Sequence, residues 1–474
     1  LGIKSVDKNC RKIEICIQNP ANYFMLSKLK STPQLGFYST FEEQLSHGHP
    51  LYILANTIHW NIFEEAFAKL YSEEGRPAKP IRLMVSLIIL KHIRNISDES
   101  VVEQWFENIY FQYFSGEKSY ACGEPCEASE LVHFRNRIGA EGIELIFKES
   151  IRINGKEGQE QEATTDTTVQ EKNITYPTDN KLHRKIIKKC IAIADKESIE
   201  IRQSYTRILK KLLMDQRFRN HPKNKGKAKK ADKKVKTIAG RLVRELERKL
   251  PPSLYQSTLA LFKQVLAQKK ADTNKIYSLH EPHVQCISKG KEHKKYEFGS
   301  KVSIITTKNT GVIIGAINLE KNVHDSKTLQ PAIEQQQRLT GITLKNNFVD
   351  RGYRGVKEVF GTKIIIPDSP GKDRTSYEKQ KLRKGFKRRA AIEPKIGHLK
   401  QDHRLSRNFY KGIKGDNNNV MLAAAAMNFK RMMNKWKLNP LLFFFRFLQT
   451  ILNFIKTQYS QIFNPLNLNL VFKG

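Results

Sequence analysis

The sequence predicts a mixed α/β core with a basic helical insertion, preceded by an all-α domain. Three observations carry this. Short β-branched runs recur at 163–169, 301–307, 312–318 and 363–366, and such runs bounded by turn residues signal strands. Across 35–155 apolar residues return at helical spacing between short connections. Residues 182–275 are helical in pattern and strongly basic.

Residues 1–34 show little periodicity and read as an unstructured or upstream extension, with Met25 a plausible start. Gly75-Arg76-Pro77 and Pro80 form a turn that opens a helix carrying Leu83, Leu87, Leu90 and Ile93. Ser97 N-caps the next helix, whose stripe runs through Val101, Val102, Trp105, Phe106 and Ile109 to Tyr113. A third helix follows Ser129 and includes His133 to Ile138. Helix pairs of this kind enter DNA grooves, so 35–155 is expected to bind DNA. Cys122 and Cys126 beside His133 have a spacing that zinc tolerates, but no second Cys/His pair completes four ligands.

The catalytic domain is expected over 156–436, with the insertion at 182–275. In Thr164-Thr165-Asp166-Thr167-Thr168 an acid sits inside a strand, where it is costly unless paired or liganded. The cationic run at 222–236 suits phosphate contact, or a solvated linker. A β-hairpin spans 301–318, preceded by aromatics and cations ending at Lys301, and a helix follows at about 326–339. Residues 347–350 read as a short strand ending on Asp350, with Arg351, Tyr353 and Arg354 behind it. Phe386, Arg389, Glu393 and Lys400 are spaced to share one helical face, an acid flanked by cations. Pro394 predicts a kink at Glu393 or a new helix starting at the proline. Asp179, Asp325, Asp368 and Asp402 compete with Asp166, Asp350 and Glu393; Asp325, after His324 at a helix start, and Asp368, after Pro367, read as caps.

The net charge of +36 makes a polyanion the expected partner, with nucleic acid first. Six cysteines in 474 residues are too few for a disulfide scaffold, so a reducing, cytoplasmic compartment is expected. The tail at 437–474 is hydrophobic, but its apolar run at 441–455 is short for spanning and holds Arg446 and Gln449. A packed terminal helix is expected there, and no membrane partner. A mixed sheet can bring acids from two strands and a facing helix together, where two Mg²⁺ ions would neutralise them and clamp a phosphoryl group.

These motifs together resemble the DDE transposases of bacterial insertion sequences, the group with a Tyr-Arg-Glu-Lys signature. The resemblance runs from about Gln34 to Trp436. Gly75-Arg76-Pro77, Ser97-Asp98-Glu99 and the segment Phe134 to Gly139 resemble the InsH-type N-terminal domain. Thr165-Asp166-Thr167-Thr168 is similar to the family's first acidic strand, Asp350-Arg351-Gly352-Tyr353 to its second, and Arg389, Glu393 and Lys400 to its third motif. Phe386 stands where the signature has Tyr. The resemblance implies an RNase H-like core, Mg²⁺ (or Mn²⁺) at Asp166, Asp350 and Glu393, and DNA contacts from Arg389, Lys400, Arg351, Tyr353, Arg354, Phe386 and Lys301. It also implies double-stranded DNA partners, the element's terminal inverted repeats and a target, and two copies acting together. The rival expectations are an RNase H-like nuclease without strand transfer and a decayed, non-catalytic DNA-binding copy.

Overall fold

The computed structural model describes residues 40–438, apart from residues 73, 76, 252, 270, 289–294 and 368–374. The extension at 1–34, Asp368, and the tail beyond Leu438 lie outside the described residues.

Seven helices come first: α1 Phe41–Gln44, α2 Pro50–Thr57, α3 Trp60–Ala68, α4 Ile81–Arg94, α5 Asp98–Glu107, α6 Ile109–Phe114 and α7 Ala128–Ile153. Strand β1, Glu162–Lys172, leads into the insertion, α8 Asp179–Lys196, α9 Thr206–Asp215, α10 Pro222–Lys249 and α11 Gln256–Ala267. Then come β2 Gln285–Ser288, β3 Tyr296–Thr307, β4 Ile313–Leu319, α12 Leu329–Thr340, β5 Asn346–Phe348, β6 Glu358–Val359 and β7 Thr362–Ile365. Helices α13 Ser376–Arg389 and α14 Ile392–Asp402, strand β8 Arg407–Asn408 and helix α15 Gly412–Leu438 close the described chain.

The strands form one mixed sheet. Strand β3 pairs antiparallel with β1 and with β4, while β5 and β7 follow on the other side of β1, parallel to it. The hairpin expected at 301–318 is therefore the β3–β4 pair. The register sets Asp166 opposite Ile304 in mid-strand, and Thr164 beside Phe348, the last residue of β5. Two acid-bearing chain segments thus leave neighbouring parallel strands.

Helix α15 explains how the first seven helices meet the sheet. Its run Val420 to Ala426 is buried, and the helix packs on α7, α4, α2 and β4. Small alanines allow that close approach, and one continuous hydrophobic core extends from Phe41 to Met433. Asn428 secures the β4 edge: its Oδ1 accepts from Ile313 N at 3.0 Å and its Nδ2 donates to Ile313 O at 2.8 Å. At the far end of β1, buried Lys172 meets Asp416 at 2.6 Å and Glu281 at 3.4 Å, fixing the strand to α15 and to the segment leaving the insertion.

The insertion has its own core, from Leu182 to Leu279. The cationic run at 222–236 is the start of α10, not a linker. Ala228, Ala231 and Val235 recur at helical spacing and are buried, continuing into Ile238, Leu242 and Leu246. The lysines between them cover the outer face.

Candidate active site

Asp166 lies in the centre of β1 because Thr-rich, β-branched neighbours favour the strand, which pairs with β3 along its length and with β5 up to Thr164. Its Oδ1 accepts the Thr167 backbone N–H at 2.8 Å. Burial pushes its carboxyl up to about 6, and the Asp350 carboxylate adds to the rise; Glu393 contributes in the same sense and Arg389 opposes it. Asp350 N-caps a single 3₁₀ turn, Arg351–Tyr353, accepting the Gly352 N–H at 2.9 Å. That cap aims the acid back along β5 towards β1.

The third segment departs from the sequence expectation. Phe386 and Arg389 belong to α13, Glu393 and Lys400 to α14, so the four do not share one helix. The break lies at Ala390 and Ala391, a turn before Pro394. A continuous helix would need the Pro394 nitrogen to donate to the Ala390 carbonyl, four residues back, and proline has no N–H to give. The turn closes instead with Glu393 N donating to Ala390 O at 3.3 Å. Glu393 is the second residue of α14 and is 63% exposed, with its Oε1 3.5 Å from Arg389 Nη2. A capping box between Thr375 and Glu378 starts α13. The helix lies against β5 because Gly385 presents no Cβ to the Phe348 ring, where one would stand 2.7 Å away. Phe386 meets the same ring edge-on at 5.8 Å.

A further acid, Asp325, stands beside Asp350. Asp325 was expected as a cap, but the cap is His324, which accepts from Ser326 N. The Asp325 Oδ1 instead receives Thr167 Oγ1 at 2.9 Å and Lys301 Nζ at 2.8 Å. A Cβ on Gly352 would stand 3.0 Å from Asp350 Oδ1 and 3.1 Å from Asp325 Oδ2, so both carboxylates close around that glycine. Sequence reasoning missed Asp325 because its partners are 158 and 24 residues away. The available signal was the polar inventory of β1 and β3: Thr167 and Lys301 on adjoining strands need a common acceptor.

The other expected site residues separate into two groups. Arg389 lies close to both Asp166 and Glu393. Arg351 and Arg354 are exposed beside Asp350, and Lys400 is half-buried on α14. Lys301, expected to contact DNA, is 13% exposed and donates to Asp325 and to the Val323 carbonyl at 2.7 Å. Tyr353, also expected to contact DNA, is fully buried. Burial and the carboxylates of Asp166, Asp325 and Asp350 hold its hydroxyl well above the usual tyrosine range, so it stays a neutral floor under the acids.

The donor set here is all carboxylate oxygen, which suits a hard divalent cation. Among the described residues, no three His, Cys, Asp or Glu side chains stand close enough together to hold a metal ion. What the structure provides is the coupled pair Asp166 and Asp350, with Glu393 turned to Arg389.

Asp166 on β1, Asp350 at the end of the neighbouring β5 and Glu393 on α14, with Arg389 between them, form the acidic site that the sequence pointed to. The comparisons with known proteins agree. Residues 39–137 match the family described as Transposase domain (DUF772), and residues 268–429 match the Transposase DDE domain. The second match takes in Asp350 and Glu393 and begins after Asp166. The chain is also 40% identical over 190 residues to a protein of Rhizobium meliloti called "Uncharacterized protein ORF8 in nfe locus", an alignment covering 38% of this chain and 92% of that one. No solved structure matches. The chain belongs to the DDE transposases of insertion elements, enzymes that cut and join DNA and generally use divalent metal ions. Among the described residues, no helix is long and apolar enough to cross a membrane.

Proposed function

We propose that this transposase binds the terminal inverted repeats of its element, frees their 3′-OH ends and joins those ends to target DNA. Asp166, Asp350 and Glu393 are its metal ligands and Mg²⁺, or Mn²⁺ in its place, its metal. The observation that carries this is the placement of Asp166 within β1 and of Asp350 just past the end of β5, the strand paired with it. Burial raises the Asp166 carboxyl to about 6, and a cation there would relieve that cost. The strand order β4-β3-β1-β5-β7, three antiparallel strands followed by two parallel ones, supports an RNase H-like core.

When bound, the metal would supply an activated nucleophile and neutralise charge on the leaving oxygen. The protein's own groups do the rest. Asp325 and Tyr353 hold the Asp350 turn in place. Arg389 takes the scissile phosphate, and in doing so releases Glu393 to turn towards Asp166. Arg351, Arg354, Lys400 and Phe386 flank the DNA. The helices at 41–153 and the lysine-covered face of α10 grip duplex outside the site. Two copies act together, one for each element end.

The test uses precut inverted-repeat ends, Mg²⁺ and a supercoiled target plasmid. The wild-type protein should yield joined products, and Glu393→Gln should bind the ends but join none. Cutting without joined products would leave a nuclease. Cutting that survives Glu393→Gln unchanged would overturn the assignment of the third acid.

A further inference from the structure

A second cationic site lies on the opposite side of α14 from Glu393. Lys395, His398 and Asp402 recur at helical spacing and face a cavity of 770 Å³, closed by the end of α4 and by α15. Arg94, Lys430, Arg431 and Lys435 line the other walls. Arg431 and Lys435 are matched by Glu157, and Asp402 is engaged by His398 Nδ1 at 2.8 Å. Arg94 and Lys430 form no ion pair among the described residues. Arg94 lies over the Phe111 ring at 5.6 Å. Lys430 is half-buried; burial, then the Arg94 and Lys437 charges, depress its pKa, against a smaller pull from Asp402. Lys395 Nζ donates to the carbonyl of Gly311, which also lines the cavity. Among the described residues these cations repel one another, and two of them carry no ion pair. The tail at 439–474 contains no Asp or Glu, so its side chains do not supply the missing charge.

We propose that this cavity is a phosphate-binding site, taking backbone phosphates of the DNA that runs past Glu393. Glu393 and Asp402 are nine residues apart on one helix, roughly 14 Å along its axis at 1.5 Å per residue and about 10 Å across it, on the opposite face. A duplex presents a charge about every 1.7 Å of its axis, so backbone leaving the acids meets this cavity within a few nucleotides. The site would then join the first helices, through Arg94, to the catalytic helix across one DNA strand. Such an arrangement positions the duplex without reading its sequence.

The proposal rests on the transposase reading, and its test keeps the two apart. Affinity for an inverted-repeat duplex is measured by fluorescence anisotropy over a salt series, for the full chain and for Arg94→Gln/Lys430→Gln. The slope of log affinity against log salt should fall by about 1.8, at roughly 0.9 per lost phosphate contact. The charge-keeping pair Arg94→Lys/Lys430→Arg should restore most of it. A slope unchanged in a folded double variant overturns the site while leaving the transposase reading intact. A wild-type protein that binds no duplex overturns both. Thermal stabilisation by inorganic phosphate, lost in the glutamine variant while the DNA slope stays the same, would make this a free-anion site and overturn the DNA assignment.

Discussion

Asp166 and Glu393, the first and third acids of the proposed site, have unlike supports. Asp166 is fixed in β1 by pairing with β3, lies just past the end of the β1–β5 ladder, and is largely withdrawn from water. Glu393 stands one residue inside a helix, exposed, and is paired with a cation that has its own use. The difference separates two functions. In the proposed function the sheet holds the Asp166 carboxylate in place, whereas the helix break lets Glu393 turn from Arg389 towards it. A site built wholly in the first way would be costly without DNA. One built wholly in the second would not be pre-organised.

The sharpest way to break this comparison is Asp166→Asn. Joining should fall by about a thousandfold, the scale of removing one pre-organised group from a charged transition state. Stability should move the other way. The folded carboxyl titrates at about 6 against 3.8 unperturbed, so between those values the folded state holds more protons than the unfolded one. The native protein therefore loses stability as pH rises through this window, by on the order of 3 kcal/mol at 1.36 kcal/mol per pKa unit. Without divalent metal, Asp166→Asn should be the more stable protein at pH 7, with the gap closing by about pH 4. Urea unfolding at the two pH values measures it. A gap of equal size at both would mean that Asp166 carries no buried-charge penalty.

Gly352→Ala probes the rigid side more gently. The added methyl would press on Asp350 Oδ1 at 3.0 Å and Asp325 Oδ2 at 3.1 Å, and one of them must move. Joining should fall roughly ten- to a hundredfold, as expected when a positioned group shifts by a fraction of an ångström. The melting transition should change by only about 1 kcal/mol. Activity within twofold of wild type would show that Asp350 is less tightly placed than its cap implies.

The same contrast governs what the sequence could disclose. Asp166 and Asp350 were legible because strands announce themselves locally and an acid inside or ending one stands out. Asp325 was not, since it earns its place through Thr167 and Lys301, and no local pattern joins those three. Lys301 and Tyr353 looked like DNA contacts from their basic and aromatic surroundings. Burial turned one towards Asp325 and the other beneath the acids. The basic insertion was visible as charge, but its helix depended on Ala228, Ala231 and Val235, a small-residue stripe concealed among lysines. The mixed character of the sheet was legible from strand order, whereas the merging of the first helices with the sheet depended on α15.

Pro394 offers the mildest perturbation, and it bears on the mobile half of the comparison. The proline was expected to kink the helix at Glu393 or to start a new one, and a new helix does start, at Ile392. The proline's effect falls four residues upstream, on the Ala390 carbonyl that it cannot cap. Pro394→Ala returns the missing N–H and permits α13 and α14 to become one helix. The change in stability should stay within about 1 kcal/mol, because a proline in the first turn of a helix costs little. A continuous helix would hold Arg389 and Glu393 in a fixed i, i+4 pair and resist the release of the acid. Joining should therefore slow by a few-fold at saturating DNA while DNA affinity is unchanged. A variant that joins as fast as wild type would show that the break is not what frees Glu393, and the two supports would then differ in exposure alone.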